Sequence, residues 1–198
     1  MRELLIATTN AGKLREIRRI LEGVPISVKS LADLPSLPVA AETGTSFSEN
    51  ATQKALHYAG LAGLATVAED SGLEVDALDR EPGIYSARYL REDATYDERF
   101  ADIHRRLRER GAQDPTARFV CALVVAEGSR IVFEATASVE GLIADAAAGS
   151  SGFGYDPIFL YPPYGRTFGE ASEAEKTAVS HRGQAVRALR DYLVAGSW

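Results

Sequence analysis

A short apolar strand that runs straight into an acid pair is the feature that most constrains this chain. Residues 66–68 (Thr-Val-Ala) are followed by Glu69-Asp70 and then by Ser71-Gly72. Acids at the end of a buried strand cost free energy unless they bind a metal, a cation or a substrate. Open α/β sheets place their ligands at such strand ends, so Asp70 is the first candidate for chemistry. An ordinary Asp-Ser-Gly turn is the structural alternative.

The spacing of apolar residues elsewhere predicts an α/β chain. Strands are predicted at residues 4–7, 25–28, 66–70, 117–126, 130–139 and 158–161, with a strand or extended arm continuing from Asp70 to Leu78. Helices are predicted from Leu14 to Leu21, from Ser46 to about Tyr58, from Thr95 to Gly111, and after the caps Ser172 and Ser180. Residues 127–129 join two of the strands as a hairpin. Alternating strands and helices with one hairpin indicate a mixed central β-sheet flanked by helices.

Length and charge limit the classes of protein that this chain can be. A chain of 198 residues suits one large domain, or two lobes that share a sheet. The net charge of -6 argues against binding a nucleic acid polymer, which requires a basic face. A small phosphorylated ligand is still compatible with this charge, because a few local cations can form an anion pocket.

The sequence predicts a cytoplasmic protein with no membrane partner. It contains no run of eighteen apolar residues, and the apolar part of MRELLIATTN is too short for a signal peptide. The single cysteine, Cys121, lies in the apolar run FVCALVV and cannot form an internal disulfide. We therefore expect Cys121 to be a buried core residue.

Two segments are candidates for binding phosphate. The loop from Thr8 to Lys13 joins a strand to a helix, where backbone N–H groups and Lys13 favour anions, although it lacks the Walker A pattern. Asn50 and Lys54 are four residues apart and share one helix face, which could point at a phosphate. Solvated surface residues are the alternative explanation for both segments.

Three acids are candidates for holding a metal ion. Glu42, Glu69 and Asp70 could supply the hard oxygen ligands that Mg²⁺ prefers, since Mg²⁺ takes one or two carboxylates and keeps several waters. For Glu42 the alternative is an ordinary surface acid in a loop.

Two further segments are candidates for a functional role. Residues 152–157 (Gly-Phe-Gly-Tyr-Asp-Pro) combine a flexible backbone with two rings that could stack on a base, or that could instead fill the core. In Ser180-His181-Arg182-Gly183 two cations stand at the start of a helix, where the helix dipole disfavours them. Such local inconsistency often marks function. His57 and His104 lie within helices and are expected to be structural.

Taken together, these segments resemble the inosine triphosphate pyrophosphatase family. The motifs that carry the resemblance are Thr8-x-Asn10-x-x-Lys13, Glu42-Thr43-Gly44 with Phe47-x-Glu49-Asn50, Glu69-Asp70-Ser71-Gly72-Leu73, Pro82-Gly83-Ile84-Tyr85-Ser86-Ala87-Arg88-Tyr89, Gly152-Phe153-Gly154-Tyr155-Asp156-Pro157, and Lys176 followed by Ser180-His181-Arg182-Gly183. Each motif alone is modest support, but all six in this order are highly specific and cover nearly the whole chain.

The resemblance implies an activity and an architecture. The activity is Mg²⁺-dependent hydrolysis of ITP, dITP, XTP and dXTP to the monophosphate and pyrophosphate, which keeps these purine nucleotides out of DNA and RNA. The architecture is a homodimer of one domain spanning residues 1–198, an elongated α/β fold with a cleft between two lobes.

The resemblance also implies the roles of individual residues. Asp70 is the general base and lies at the metal with Glu42, and Glu69 is a further candidate ligand where many bacterial members have Asp. Contacts to the substrate are assigned to Thr8, Thr9, Asn10, Lys13, Lys54, Ser71, Phe153, Gly154, Tyr155, Asp156, Lys176, His181 and Arg182. Arg182 or loop N–H groups would meet the 6-oxo group of the base, and either Phe153 or Tyr155 would stack on it.

Two alternatives compete with this interpretation. One is the related pyrophosphatase fold family that acts on modified pyrimidines or 7-methyl-GTP, but that family lacks the Ser-His-Arg-Gly signature. The other is a nucleotide-binding regulatory module without turnover. Such a module is expected to lose carboxylates at the metal site, whereas Glu42, Glu69 and Asp70 are all present here.

Overall fold

The computed structural model describes residues 2–196, which form seven strands and five α-helices. The strands are β1 (Arg2–Ile6), β2 (Ile26–Ser30), β3 (Ala65–Val75), β4 (Thr116–Glu127), β5 (Arg130–Ile143), β6 (Phe159–Tyr161) and β7 (Arg166–Thr167). The helices are α1 (Ala11–Ile20), α2 (Phe47–Ala62), α3 (Tyr96–Glu109), α4 (Glu173–Val179) and α5 (His181–Val194).

The strands form one mixed sheet. They hydrogen-bond in the order β2-β1-β3-β4-β5-β6-β7. Strand β1 pairs in parallel with both β2 and β3, so that Leu5 lies opposite Lys29 on one side and Thr66 on the other. Strand β6 pairs antiparallel with β5 and with β7. The predicted α/β class with a mixed sheet is therefore confirmed.

The chain divides into two units, each with its own core. Unit 1 comprises the residues up to Asp70, Cys121–Ala137, and the residues from His181 onward. Unit 2 comprises Ser71–Val120 and Ser138–Ser180. The core of unit 1 includes Leu4, Ile6, Ile17, Val67, Leu123, Val125, Val186 and Leu189. The core of unit 2 includes Leu73, Val75, Phe100, Ile103, Phe119, Tyr155, Ile158, Phe159 and Phe168. That these residues form a single domain stays a prediction.

Strand β3 runs through the acid pair without a break. The strand predicted up to Asp70 and the strand or extended arm predicted after it form one strand, which ends at Val75 rather than at Leu78. Leu73 and Val75 are fully buried, so the inward face of the strand remains apolar beyond the acid pair. The pairing of β1 with β3 nevertheless ends at Ile6 and Val67. The acid pair thus lies just past the carboxyl end of β1, which is the edge where parallel sheets bind ligands.

The helix caps follow the predicted residues closely. Capping boxes are present at Thr95 with Glu98 and at Ser172 with Glu175, and Ser46 accepts the N–H of Glu49 at the start of α2. Helix α2 continues four residues beyond Tyr58 and through Gly60, and it ends where Gly63 caps it in the left-handed conformation at φ 64°. Local cap chemistry therefore determines where these helices begin.

Other boundaries differ by a few residues. The hairpin strands β4 and β5 are longer than expected, and β6 begins at Phe159 after a 3₁₀ turn at Asp156–Ile158. The two-residue strand β7 was not predicted, since its length carries no periodic signal. No helix within residues 2–196 has the length and apolarity needed to span a bilayer.

Candidate active site

The loop between β1 and α1 is braced by its own side chains. Asn10 is the N-cap of α1, and its Oδ1 accepts the backbone N–H groups of Gly12 at 2.9 Å and of Lys13 at 3.1 Å. Thr8 Oγ1 accepts the N–H of Asn10 at 3.2 Å, and Thr9 is exposed. Helix α1 begins at Ala11 for this reason, since capping satisfies donors that would otherwise lack partners. Thr8 and Asn10 thus order the loop that presents Lys13.

Lys54 of α2 bridges two of the predicted metal ligands. Its Nζ lies 2.8 Å from Glu42 Oε1 and 3.3 Å from Asp70 Oδ1. Burial lowers the pKa of Lys54, but the charges of Asp70 and Glu42 outweigh this effect, so the pKa is raised and the ammonium stays charged. The two carboxylates therefore point at one common position for a cation.

Asp70 is a buried carboxylate held by a buried amide. Asn50 donates from Nδ2 to Asp70 Oδ2 at 3.1 Å. Burial raises the pKa of Asp70, and the opposing charges of Lys54 and Lys13 and the bond from Asn50 do not cancel the rise. A carboxylate with a raised pKa is a better proton acceptor near neutral pH than an ordinary aspartate. This environment suits a general base.

Glu69, the other member of the acid pair, has different surroundings. It is 3% exposed, and its carboxylate lies 2.8 Å from Lys13 Nζ and 3.3 Å from Arg182 Nη2. Burial would raise the pKa of Glu69, but Arg182 and Lys13 hold it well below its usual range. The Cys121 thiol, which is buried as predicted, donates to Glu69 at 3.3 Å. Glu69 is therefore a permanently charged anchor for two cations.

Arg182 is buried within unit 1. Only 2% of it is exposed, and its guanidinium also donates to Glu16 Oε2 at 2.7 Å. Two acids thus balance the charge of a cation that the helix dipole alone would disfavour. His181, the first residue of α5, is buried as well. The contact of His181 and Arg182 with a nucleotide stays a prediction.

Glu16 was missed by the sequence analysis. It lies three residues after Lys13 in α1, which places both side chains on one face of the helix. That spacing is a signal that could have been noticed. It says nothing, however, of Arg182, which is 166 positions away in the chain.

In unit 2, Asp156 and Lys176 form a buried ion pair beside Phe153. Lys176 Nζ lies 2.6 Å from Asp156 Oδ2 and 4.5 Å from the centre of the Phe153 ring. The N–H of Phe153 donates to the same carboxylate oxygen at 2.8 Å. Gly152 has φ +74°, and a Cβ there would lie 2.1 Å from Asp156 Oδ2, so this tight turn requires glycine. The arrangement fixes one aromatic face and one cation next to each other.

The two rings of this loop have different environments. Tyr155 is 4% exposed, its hydroxyl donates to Ser86 O at 2.9 Å, and its ring packs edge-on against Tyr96. Phe153 is only half-buried. Of the two rings, Phe153 is therefore the one that can stack on a base, because the ring of Tyr155 belongs to the core. Gly154 is half-buried next to Phe153, and Ser71 is half-buried in β3.

The structure thus brings most of the predicted site residues into two clusters. The unit 1 cluster contains Lys13, Glu42, Lys54, Glu69, Asp70 and Arg182, together with Asn50 and Glu16. The unit 2 cluster contains Phe153, Asp156 and Lys176. The roles of these residues toward a ligand stay predictions.

The positions of Glu42, Glu69 and Asp70 show which of these acids could hold Mg²⁺. Among the residues that the structure describes, no group of three or more His, Cys, Asp or Glu side chains is arranged to hold a metal ion. Mg²⁺ commonly takes only one or two carboxylates and keeps its waters. Glu42 and Asp70 fit that requirement, because their two carboxylates converge on one position, where a cationic group, the ammonium of Lys54, lies. Glu69 fits it poorly, since its single carboxylate is 3% exposed and is enclosed by Lys13, Arg182 and the Cys121 thiol.

Comparison with known proteins decides the family. A model described as the Ham1 family matches residues 4–192. The chain belongs to the Ham1 family. It is 43% identical over 195 residues to a dITP/XTP pyrophosphatase of Geobacter sulfurreducens, covering 98% of this chain and 97% of that protein. It is 48% identical to a dITP/XTP pyrophosphatase of Gloeobacter violaceus, covering 96% and 93%. The predicted family resemblance is confirmed.

Solved structures of the family share the fold. A HAM1 protein from Coxiella burnetii is 38% identical, with a TM-score of 0.90 over 98% of this chain and all of that chain. A nucleoside-triphosphatase, dITP/XTP pyrophosphatase, from Mycobacterium abscessus is 39% identical, with a TM-score of 0.71 over 94% of this chain and 98% of that chain. The α/β architecture described above is therefore that of the family.

Proposed function

We propose that this chain is a nucleoside-triphosphate pyrophosphatase that hydrolyses the non-standard purine nucleotides ITP, dITP, XTP and dXTP to the monophosphate and pyrophosphate. The observation that carries the proposal is the environment of Asp70, a buried carboxylate of raised pKa between Asn50 and Lys54. The relatives named dITP/XTP pyrophosphatase, similar over nearly their whole length, support the choice of substrate.

The proposed chemistry uses the cluster of unit 1. Asp70 takes a proton from the water that attacks the α-phosphorus, because Asn50 and Lys54 hold its carboxylate in one place at the acid end of the cluster. Lys13 and Lys54 bind the phosphate oxygens, on which negative charge builds as pyrophosphate leaves. Glu42 and Asp70 would hold Mg²⁺, which when bound supplies further positive charge to those oxygens.

The proposed recognition of the base uses the cluster of unit 2. The ammonium of Lys176 lies over one face of the half-buried Phe153 ring and carries donors, and the base would stack on the opposite face. Hypoxanthine and xanthine present a 6-oxo acceptor to such donors. Adenine presents a 6-amino donor in the same place, so that donor would face donor. A site built to hydrogen-bond one group rejects an analogue that lacks it.

A pyrophosphate-release assay tests the proposed function. We expect ITP, dITP and XTP to yield monophosphate and pyrophosphate with a kcat/KM far above that for ATP or modified pyrimidine triphosphates, and chelation of Mg²⁺ to abolish release. Release of orthophosphate would indicate cleavage of a different bond. Tight binding without any product would contradict the proposal and favour a regulatory module.

Replacing Lys13 separates phosphate binding from base binding. We expect Lys13→Ala to weaken binding of ITP by about tenfold to a hundredfold while leaving inosine binding unchanged, because a hydrogen bond to a charged group is worth about 1.5–3 kcal/mol. Calorimetric titration with both ligands measures the two affinities. Arg15→Ala, a charge removed from an exposed position in the same helix, is the matched control. Equal losses for ITP and inosine would show that Lys13 does not bind phosphate.

The homodimer and the cytoplasmic location belong to the same proposal. Light scattering at several protein concentrations tests the first, and we expect a mass near twice the 21.3 kDa of the chain. A monomer with full activity would remove dimerisation from the proposal without affecting the chemistry.

A further inference from the structure

The segment before α2 is attached along that helix. Residues 38–45, here termed the strap, run in the direction opposite to α2. The contacts are His57 Nε2 to Pro38 O at 2.8 Å, Ala40 N to Tyr58 at 3.4 Å, Lys54 to Glu42 at 2.8 Å, Thr43 N to Gln53 at 3.2 Å, Gly44 N to Asn50 at 2.9 Å, and Thr45 N to Glu49 at 2.6 Å. Side chains of the helix thus hold a strap that has no regular secondary structure of its own.

Asn50 is the strap partner that also contacts Asp70. Its Oδ1 accepts the N–H of Gly44 at 2.9 Å, and its Nδ2 donates to Asp70 Oδ2 at 3.1 Å. The residue is 0% exposed. Because one neighbour is a donor and the other an acceptor, the amide can satisfy both in only one orientation. The side chain therefore links the strap backbone to the carboxylate.

The glycine at position 44 is required by this link. A Cβ on Gly44 would lie 2.8 Å from Asn50 Oδ1 and 2.7 Å from Glu49 Cβ. Such distances are too short for ordinary contacts, so any other residue would push the strap away from the helix. Glu42 stands two positions earlier in the strap, and its placement opposite Lys54 depends on that close approach.

We propose that Asn50 is a positioning residue for hydrolysis, whose amide holds the Asp70 carboxylate and the strap that carries Glu42 in register. This inference rests on the proposed function, because hydrolysis is where the positioning matters. A misplacement of about 1 Å in a catalytic group can cost on the order of a hundredfold in rate. A purely structural Asn50 would only satisfy a buried N–H, and its loss would lower stability alone.

Steady-state kinetics of Asn50→Asp test the positioning role. Asp keeps the size and the acceptor for Gly44, but it removes the NH₂ group that faces Asp70. We expect kcat for ITP to fall by about tenfold to a hundredfold, with KM within about threefold of the parent protein. A kcat within about threefold of the parent in the folded variant would overturn the proposal.

Gln53→Ala is the matched control. Gln53 holds the strap at Thr43 from the same helix, and its side-chain oxygen faces Thr43 rather than Asp70. We expect its kcat to stay within about threefold of the parent. If Asn50→Asp does not fold, as judged by thermal unfolding, Asn50→Ser replaces it. Serine is neutral and too short to reach both partners. We expect the same loss of kcat for Asn50→Ser, and a kcat within about threefold of the parent would again overturn the proposal.

A readout without turnover separates this inference from the proposed function. If the parent protein releases no pyrophosphate from any nucleotide, the proposed function fails. The link itself is then read from amide NMR signals of Asp70→Ala. Loss of the carboxylate should shift both the side-chain NH₂ of Asn50 and the backbone N–H of Gly44. An unshifted Gly44 signal would overturn the coupling of the strap to Asp70 whatever the activity.

Discussion

Replacing Asp70 with asparagine is expected to reduce pyrophosphate release by about a hundredfold to ten-thousandfold. Asparagine is nearly the same size but cannot accept the proton of the attacking water. The fold should persist, because burial already disfavours the charged carboxylate, as its raised pKa shows. Binding of ITP should also persist, since Lys13 and Lys54 remain. Single-turnover assays and calorimetric titration measure the two effects separately.

Glu74, another acid on the same strand, provides the control for Asp70→Asn. Glu74 lies in β3, four residues after Asp70, and pairs with Arg118. We expect Glu74→Gln to keep kcat within about threefold of the parent. A similar result for Asp70→Asn would rule out Asp70 both as the base and as a metal ligand.

Replacing Arg182 with alanine is expected to lower the free energy of unfolding by about 3–5 kcal/mol. The reason is that Glu69, which is 3% exposed, would lose one of its two cations, and Glu16 would lose its ion pair with Arg182. Glu69 would keep Lys13, but a buried carboxylate that loses part of its pairing still pays for its desolvation. Urea unfolding followed by circular dichroism measures the change.

Two other arginine variants show whether the loss of stability is specific to the guanidinium of Arg182. Arg190 lies on the exposed side of the same helix, and Arg190→Ala should change the free energy of unfolding by less than about 0.5 kcal/mol. Arg182→Lys keeps the charge but loses the planar fork, so an intermediate loss is expected. A loss below about 1 kcal/mol for Arg182→Ala would mean that the buried cluster does not stabilise unit 1.

The same variants bear on the base-reading role expected from the sequence. If Arg182 reads the 6-oxo group, the folded Arg182→Lys variant should show a smaller ratio of kcat/KM for ITP to that for ATP. If Arg182 serves only the cluster with Glu69 and Glu16, the ratio should stay unchanged while both activities follow the amount of folded protein.

Much of the fold could be predicted because its signals are local. Ser46, Thr95 and Ser172 cap helices through bonds to residues three positions away, so a cap can be recognised from a few residues. The hairpin around Gly128 and the parallel strands rest on short apolar patterns of the same kind. Boundaries such as the end of β5 were missed, because pairing with distant residues, here of Ile143 with Phe159, extends a strand beyond its local pattern.

Several residues of the two clusters could be named from the sequence, but the partner that each side chain contacts could not. Motifs indicated Lys13, Glu69, Asp70 and Lys176, and the structure brings each of them into a cluster. Which acid meets which cation was beyond the sequence. The spacing of residues predicts which side chains share a face of one helix or strand. It does not predict how far those side chains lie from the side chains of another element.

The sequence by itself determined the elements, their caps and the chemical groups available to the site. Only the tertiary structure decided that Glu69 and Asp70, adjacent in the chain, have different partners and opposite shifts of pKa. Successive side chains of a strand point to opposite faces, so Glu69 meets Arg182 and Lys13 while Asp70 meets Asn50 and Lys54. The pKa of Glu69 is lowered and that of Asp70 is raised for this reason. Burial and partners from distant segments set these values, and neither exists until the chain has folded.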